Sequence, residues 1–259
     1  MYGCMYTCRI RFSATRKKEV IPSSFKKKKL LDLISHLKSI LHRFPEERPH
    51  KTTWNNYYEH TIISQEYLQQ KEVIFRQFCE GLNVQTVLDA GANDGYFSKI
   101  LASRGLQVIA TDVDGQCINR LYQEIKKKGI PNILPLILDI SNPTPAIGFH
   151  NRERAAFHER IKVDLVIALA LIHHLAIGRN IPFPMLADYL QDTAPELIIE
   201  FVPKEDEKVK QMLASRADIF QDYTVAHFEE AFSIHFDILK KAPVPHTART
   251  LYHMKRKRS

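Results

Sequence analysis

The chain has 259 residues, 44% of them apolar and 25% charged, with a net charge of +8. That size and balance exclude a disordered or fibrous chain and suit one globular domain with an appendage. The longest unbroken apolar run, Leu165 to Ile172, is far too short to cross a bilayer, and the charge is uneven: residues 1–60 hold 13 Lys and Arg against 5 acids, the whole of the excess. Four cysteines (Cys4, Cys8, Cys79, Cys117) form no C-x-x-C pair and have no histidine at zinc-ligand spacing. No metal site is expected, and a reducing compartment, the cytoplasm, suits reduced thiols at Cys79 and Cys117.

Residues 1 to about 29 show no durable periodicity and end in Lys26–Lys29. They lack the apolar core of a secretory signal, although the first 18 carry Arg, Lys and Ser without an acid, as organelle transit peptides do. Leu30, Leu33, Ile34, Leu37 and Leu41 then recur at helical spacing, and their stripe packs either on a core or on a partner or membrane surface. Pro45 and Pro49 bracket a linker. The basic arm is set at 1–60 and the main domain at 61–259. Nucleic acid is a candidate partner for the arm and for Lys255–Arg258; solvated ends are the other reading. Trp54, Tyr57 and Tyr58 either close over a site or anchor the arm.

A helix is predicted from Ser64 to Leu82, with Leu68, Val73, Phe75, Phe78 and Leu82 as buried candidates. Strands and helices then alternate: strand Val84–Asp89, helix Gly95–Ser103, strand Gln107–Asp112. This predicts an α/β, doubly wound, mostly parallel sheet. The first strand runs into VLDAGANDGYFS, Val87 to Ser98. Gly91 and Gly95 let a ligand lie against the main chain, Asp94 suits a helix cap, and amides here suit a carboxylate or phosphate. The dinucleotide fingerprint would need glycines where Asn93 and Tyr96 stand, which disfavours NAD, and no phosphate-loop lysine follows Gly95, which disfavours ATP. Asp112 ends the second strand where ribose hydroxyls would sit, while Asp114 reads as an N-cap.

The third strand, Ile133–Asp139, again ends in an acid; Asp139 either accepts from an adenine amino group or forms a turn before Ser141-Asn142-Pro143. A charged crossover spans 141–161. The fourth strand, Asp164–Leu171, is almost wholly apolar, as a central strand should be, and runs into His173 and His174. At the mouth of a crevice an imidazole can act as base or orient a substrate; the plainer reading is one satisfied and one exposed histidine. A helix at Pro182–Leu190 and a fifth strand at Leu197–Val202 follow, with Glu200 either facing the pocket or buried and paired. Helical segments near 206–216 and 224–232 lead to strands Phe236–Leu239 and Arg249–Met254, expected to pair antiparallel.

Asp89-x-Gly91-x-Asn93-x-Gly95 resembles motif I of the class I S-adenosylmethionine-dependent methyltransferases, with Asn93 in place of the middle glycine. A seven-stranded, mostly parallel sheet ending in an antiparallel strand matches that family's order. Residues 30–254 are further similar to its NoeA-like (nodulation-protein-like) subgroup, through Thr53-Trp54 with Tyr57-Tyr58, Asn142-Pro143 with Pro145 and Gly148, much of 169–177, and LIIEFVPKED at 197–206. The resemblance implies a methyltransferase using S-adenosyl-L-methionine. Asp89, Gly91, Asn93 and Gly95 would face the methionine end, Asp112 the ribose and Asp139 the adenine, with His173 or His174 as base or orienting group. It does not imply an acceptor or an oligomeric state. The alternative is a methyltransferase fold without chemistry that binds nucleic acid or a protein through its basic arm.

Overall fold

Residues 27–41, 43, 65–214 and 216–258 are described by the computed structural model of the chain, which divides into two units, residues 1–50 and 51–259. The basic lead before Lys27, the Pro45–Pro49 linker and the Trp54–Tyr58 cluster lie outside the described residues. In the first unit the expected amphipathic helix forms as α1 (Lys27–Leu41), and none of its side chains is buried among the described residues.

The second unit opens with α2 (Gln65–Cys79). Then follow β1 (Thr86–Ala90), α3 (Tyr96–Ser103), β2 (Gln107–Asp112), α4 (Gly115–Lys128) and β3 (Ile133–Ile137). A crossover with a short helix, α5 (Phe157–Arg160), leads to β4 (Leu165–Ala168), α6 (Phe183–Thr193) and β5 (Glu196–Phe201). The remainder is α7 (Glu207–Leu213), α8 (Val225–Ser233), β6 (Phe236–Pro243) and β7 (Thr250–Arg256). The strands form one seven-stranded sheet in the order β3-β2-β1-β4-β5-β7-β6. β7 is antiparallel to both neighbours and the other pairings are parallel.

Alternation along the central strands explains why both faces are covered. Val87, Leu165, Ile167 and Ile198 point to one side, where Phe75 and Phe78 of α2, Phe97 and Leu101 of α3 and Leu121 of α4 meet them. Leu88, Val166, Leu197 and Ile199 point to the other, against Phe183 and Leu186 of α6 and Phe228 and Phe232 of α8. With a side-chain period of two and both faces buried, the strands read as continuous apolar runs. The edges are blunted differently: β3 carries Pro135, and β6 has a register shift between Ile238 and Lys240 with lysines beside it.

Two local expectations change. β4 ends at Ala168, three residues before the predicted strand does, because the chain turns out of the sheet through Ala170 in a left-handed conformation (φ 53°). Val73 is exposed, since the buried stripe of α2 runs through Tyr67, Lys71, Phe75 and Phe78 at three- and four-residue spacing and leaves Val73 on another face. Asp114 caps α4 as expected, accepting from the amides of Gln116 and Cys117.

Candidate functional site

A cleft of about 270 Å³ lies beyond the carboxyl ends of the parallel strands, where open α/β sheets place ligands. Strand order sets the sequence of its wall: Asp139 after β3, Asp112 at the end of β2, Gly91 and Asn93 after β1, Leu169 to Leu171 and His174 after β4, and Arg249 just before β7. Tyr67 and Lys71 of α2 close the end near Arg249.

The glycine loop is shaped by positive φ angles. Gly91 has φ 77°, and a Cβ there would meet Leu171 Cδ1 at 3.1 Å; Gly95 has φ 76°, and a Cβ would lie 2.6 Å from the buried Leu121 Cδ1. Asn93 takes φ 51°, so the departure from the middle glycine is filled by one of the few side chains that tolerate this region. Its Oδ1 accepts from the Asp94 amide at 2.7 Å. Asp94 precedes the N-cap of α3, which is Gly95.

Asp112 is half-buried and braces the loop, its Oδ2 accepting from the Asn93 amide and its Oδ1 from the Asp114 amide, both at 2.8 Å. Burial pushes its carboxyl up against the opposing pull of those amides. Asp89 does not reach the cleft wall. It is buried beneath the loop, where Ser98 Oγ donates to its Oδ2 at 2.5 Å. Burial, reinforced by Asp112, pushes its carboxyl up to about 7 despite the Ser98 hydrogen bond and Lys71. Asp139 accepts from the Ser141 amide and hydroxyl with one oxygen, and from Arg179 Nη2 at 2.9 Å with the other. Both members of that ion pair line the cleft.

The two histidine rings lie against each other at a tilt of 42° with centroids 4.0 Å apart, but they occupy different surroundings. His174 lines the cleft, and burial, with Arg249 and Lys208, holds its pKa down to about 4. His173 is fully buried, lies outside the cleft wall, and has no hydrogen-bond partner for either ring nitrogen among the described residues. Burial, then His174 and the cations nearby, push its pKa well below the ordinary value.

The sequence reading missed Tyr67, Lys71, Arg179 and Arg249. Lys71 Nζ pairs with Glu200, Tyr67 donates to Glu200 at 2.6 Å, and Arg249 Nη1 donates to Tyr67 at 2.9 Å. Arg249 also forks onto Asp206, with Nε at 2.7 Å and Nη2 at 3.0 Å. Although burial pushes Glu200 up, Lys71 and Arg249 hold its carboxyl below the usual range. A lysine on the apolar stripe of α2, four residues from Tyr67 and four from Phe75, was the available signal. Among the described residues no group of histidine, cysteine and acidic side chains is arranged to hold a metal ion, and no helix is long and apolar enough to cross a membrane.

No family model matches the chain. A curated relative, nodulation protein NoeA of Rhizobium meliloti (strain 1021), is 36% identical over 207 residues, which is 80% of this chain and 43% of that protein. The chain thus spans less than half the length of that relative. Similar solved structures include the N-methyltransferase NodS from Bradyrhizobium japonicum WM9, with a TM-score of 0.54 at 11% identity over 76% of this chain and 100% of that one. Magnesium protoporphyrin IX methyltransferase (ChlM) from Synechocystis PCC 6803, solved with bound SAH, gives 0.53 at 17% identity over 90% and 100%. A SAM-dependent methyltransferase from Aquifex aeolicus gives 0.51 at 19% over 75% and 94%. The chain has the Rossmann-like fold of the S-adenosylmethionine-dependent methyltransferases, and four-fifths of it is similar in sequence to under half of NoeA.

Proposed function

We propose that the chain is an S-adenosylmethionine-dependent methyltransferase. The observation that carries this reading is the order of groups along the cleft: a carboxylate after β3, a carboxylate at the end of β2, then a loop after β1 that presents Gly91, which has no Cβ, to the cleft. Adenine, ribose and thioether would need those groups in that order. Gly91 fits the cofactor because a Cβ would already crowd Leu171 where the ligand has to approach the main chain. Asp112 suits the ribose hydroxyls and Asp139 an exocyclic amine, both as acceptors. A cleft near the lower end of small-molecule pocket sizes, about 300 Å³, suits a nucleoside held under the Arg179–Asp139 pair.

The bound cofactor supplies an activated methyl group, so the protein's task is alignment and exclusion of water. Gly91, Asn93 and Gly95 shape the seat and Asp89 supports it from below through Ser98. His174 is neutral across physiological pH and faces the cleft, so it acts as a hydrogen-bonding, orienting group toward the acceptor. His173 acts through the His174 ring packed against it. The buried free thiols Cys79 and Cys117 support a reducing location, the cytoplasm.

Calorimetry tests the reading. S-adenosylhomocysteine should give saturable heat and NAD none; the reverse result overturns it. Asp112→Ala should weaken the product about tenfold or more, and unchanged affinity would remove the ribose assignment. Transfer of a labelled methyl group into fractionated extract then identifies the acceptor, with RNA and protein fractions separating the arm's candidate partners.

A further inference from the structure

The glycine loop spends its own amides inside the protein. Gly91 and Ala92 both donate to Thr111 O at 2.9 Å, Asn93 to Asp112, Asp94 to Asn93 Oδ1, and Gly95 to Ala92 O at 2.8 Å. A negative group arriving at this end of the cleft therefore meets side chains rather than main-chain N–H groups. Two cations stand there, Lys71 of α2 and Arg249 before β7, both in the cleft wall and only 4% and 2% exposed. Their counter-charges stand behind them. Glu200 is wholly buried and Asp206 lines a separate pocket, so neither carboxylate belongs to the cleft wall.

Both cations thus border the cavity while their carboxylates do not, although Arg249 also lines the pocket that holds Asp206 and donates to Asp206 and Tyr67. Lys71 has three N–H donors, one of them used on Glu200, and its ammonium lies 5.2 Å from the centre of the Phe97 ring, beside the start of α3. Arg249, after burial and together with Lys208, depresses the protonation of His174, which faces the same space.

We propose that Lys71 and Arg249 form a receptor for one oxyanion, a carboxylate or phosphate, at the end of the cleft remote from Asp139. The identity of what fills the rest of the cleft rests on the methyltransferase reading; the receptor itself does not. The anion has two sources, the amino-acid carboxylate of the cofactor or an acidic group on the acceptor.

Calorimetry on the full chain separates them, with S-adenosylhomocysteine, 5′-methylthioadenosine (the same nucleoside thioether without the amino-acid tail) and inorganic phosphate as titrants. The variants are Lys71→Met combined with Glu200→Gln, which removes both buried charges together, and Arg249→Met. If the cofactor supplies the anion, the homocysteine ligand binds about tenfold or more tightly than methylthioadenosine, and both variants erase that ratio while methylthioadenosine affinity stays within about twofold. If the acceptor supplies it, the ratio is near one from the start, and phosphate binds the product-saturated protein but neither variant. A ratio that survives both variants, or a ratio near one with no phosphate binding, overturns the receptor. An equal loss of both nucleosides in the variants assigns the pair a structural role and overturns it too. Should neither nucleoside bind the unaltered protein, the methyltransferase reading fails, and phosphate alone decides the receptor: binding lost in both variants supports it, and no binding overturns it.

Discussion

At the two ends of the cleft carboxylates are handled in opposite ways. Asp112 and Asp139 end neighbouring strands, remain partly exposed, and are satisfied by amides one to three residues away or from the adjoining loop. Glu200 is wholly buried and is held by Tyr67, 133 residues away in sequence, and Lys71, 129 residues away. The open end is local and keeps capacity for a ligand; the sealed end is long-range, and its charges are of value only while all are present.

The largest test of that contrast is Glu200→Ala. It leaves Lys71 as an uncompensated buried ammonium and should lower unfolding free energy by about 3–5 kcal/mol in a denaturant titration. At the open end Asp112→Ala should cost less, about 1–3 kcal/mol, because it strands two amides that are near water. A larger loss for Asp112→Ala than for Glu200→Ala would break the comparison.

A pH series sharpens it. The folded-state pKa of Asp89 is raised to about 7 from an unfolded value near 4, so the native state binds the extra proton. Its contribution is fully present below about pH 4 and is lost as pH rises toward 7, by at most about 1.4 kcal/mol per pH unit. Asp89→Asn cannot ionise there. Between pH 5 and 8 the unaltered protein should therefore lose stability relative to that variant as pH rises, and parallel curves would reject a buried, ionising Asp89. The smallest effect is expected at the Arg179–Asp139 pair. Arg179→Ala breaks an exposed ion pair and should change stability by less than about 1 kcal/mol in the same titration.

The contrast also explains what was legible in the sequence. The mostly parallel sheet, its closing antiparallel pair and the place of Asp112 at the end of the second strand follow from strand runs, the acids that close them and the glycines between, patterns contained within a few residues; the order of the strands came only with the resemblance to the class I methyltransferases. Asn93 was readable as a departure from glycine, and the structure shows why it is accommodated: the backbone there is left-handed, which asparagine tolerates. The short extent of β4 was not readable, because an apolar run does not reveal that Ala170 turns out of the sheet. Nor was the partnership of Lys71 and Arg249 with Glu200. Those residues come from a helix before β1, the residue just before β7 and the end of β5, and only the completed sheet brings them together.

The reversed direction of β7 has a consequence for assembly. In a parallel sheet only the departure points of strands meet the crevice; a reversed strand instead delivers its entry point there, and so Arg249 arrives on the same rim as residues that follow β1, β2 and β4. The cleft therefore draws its acids and glycines from the first strands of the chain and its guanidinium from the C-terminal hairpin, so its rim is complete only when both ends of the sheet are in place.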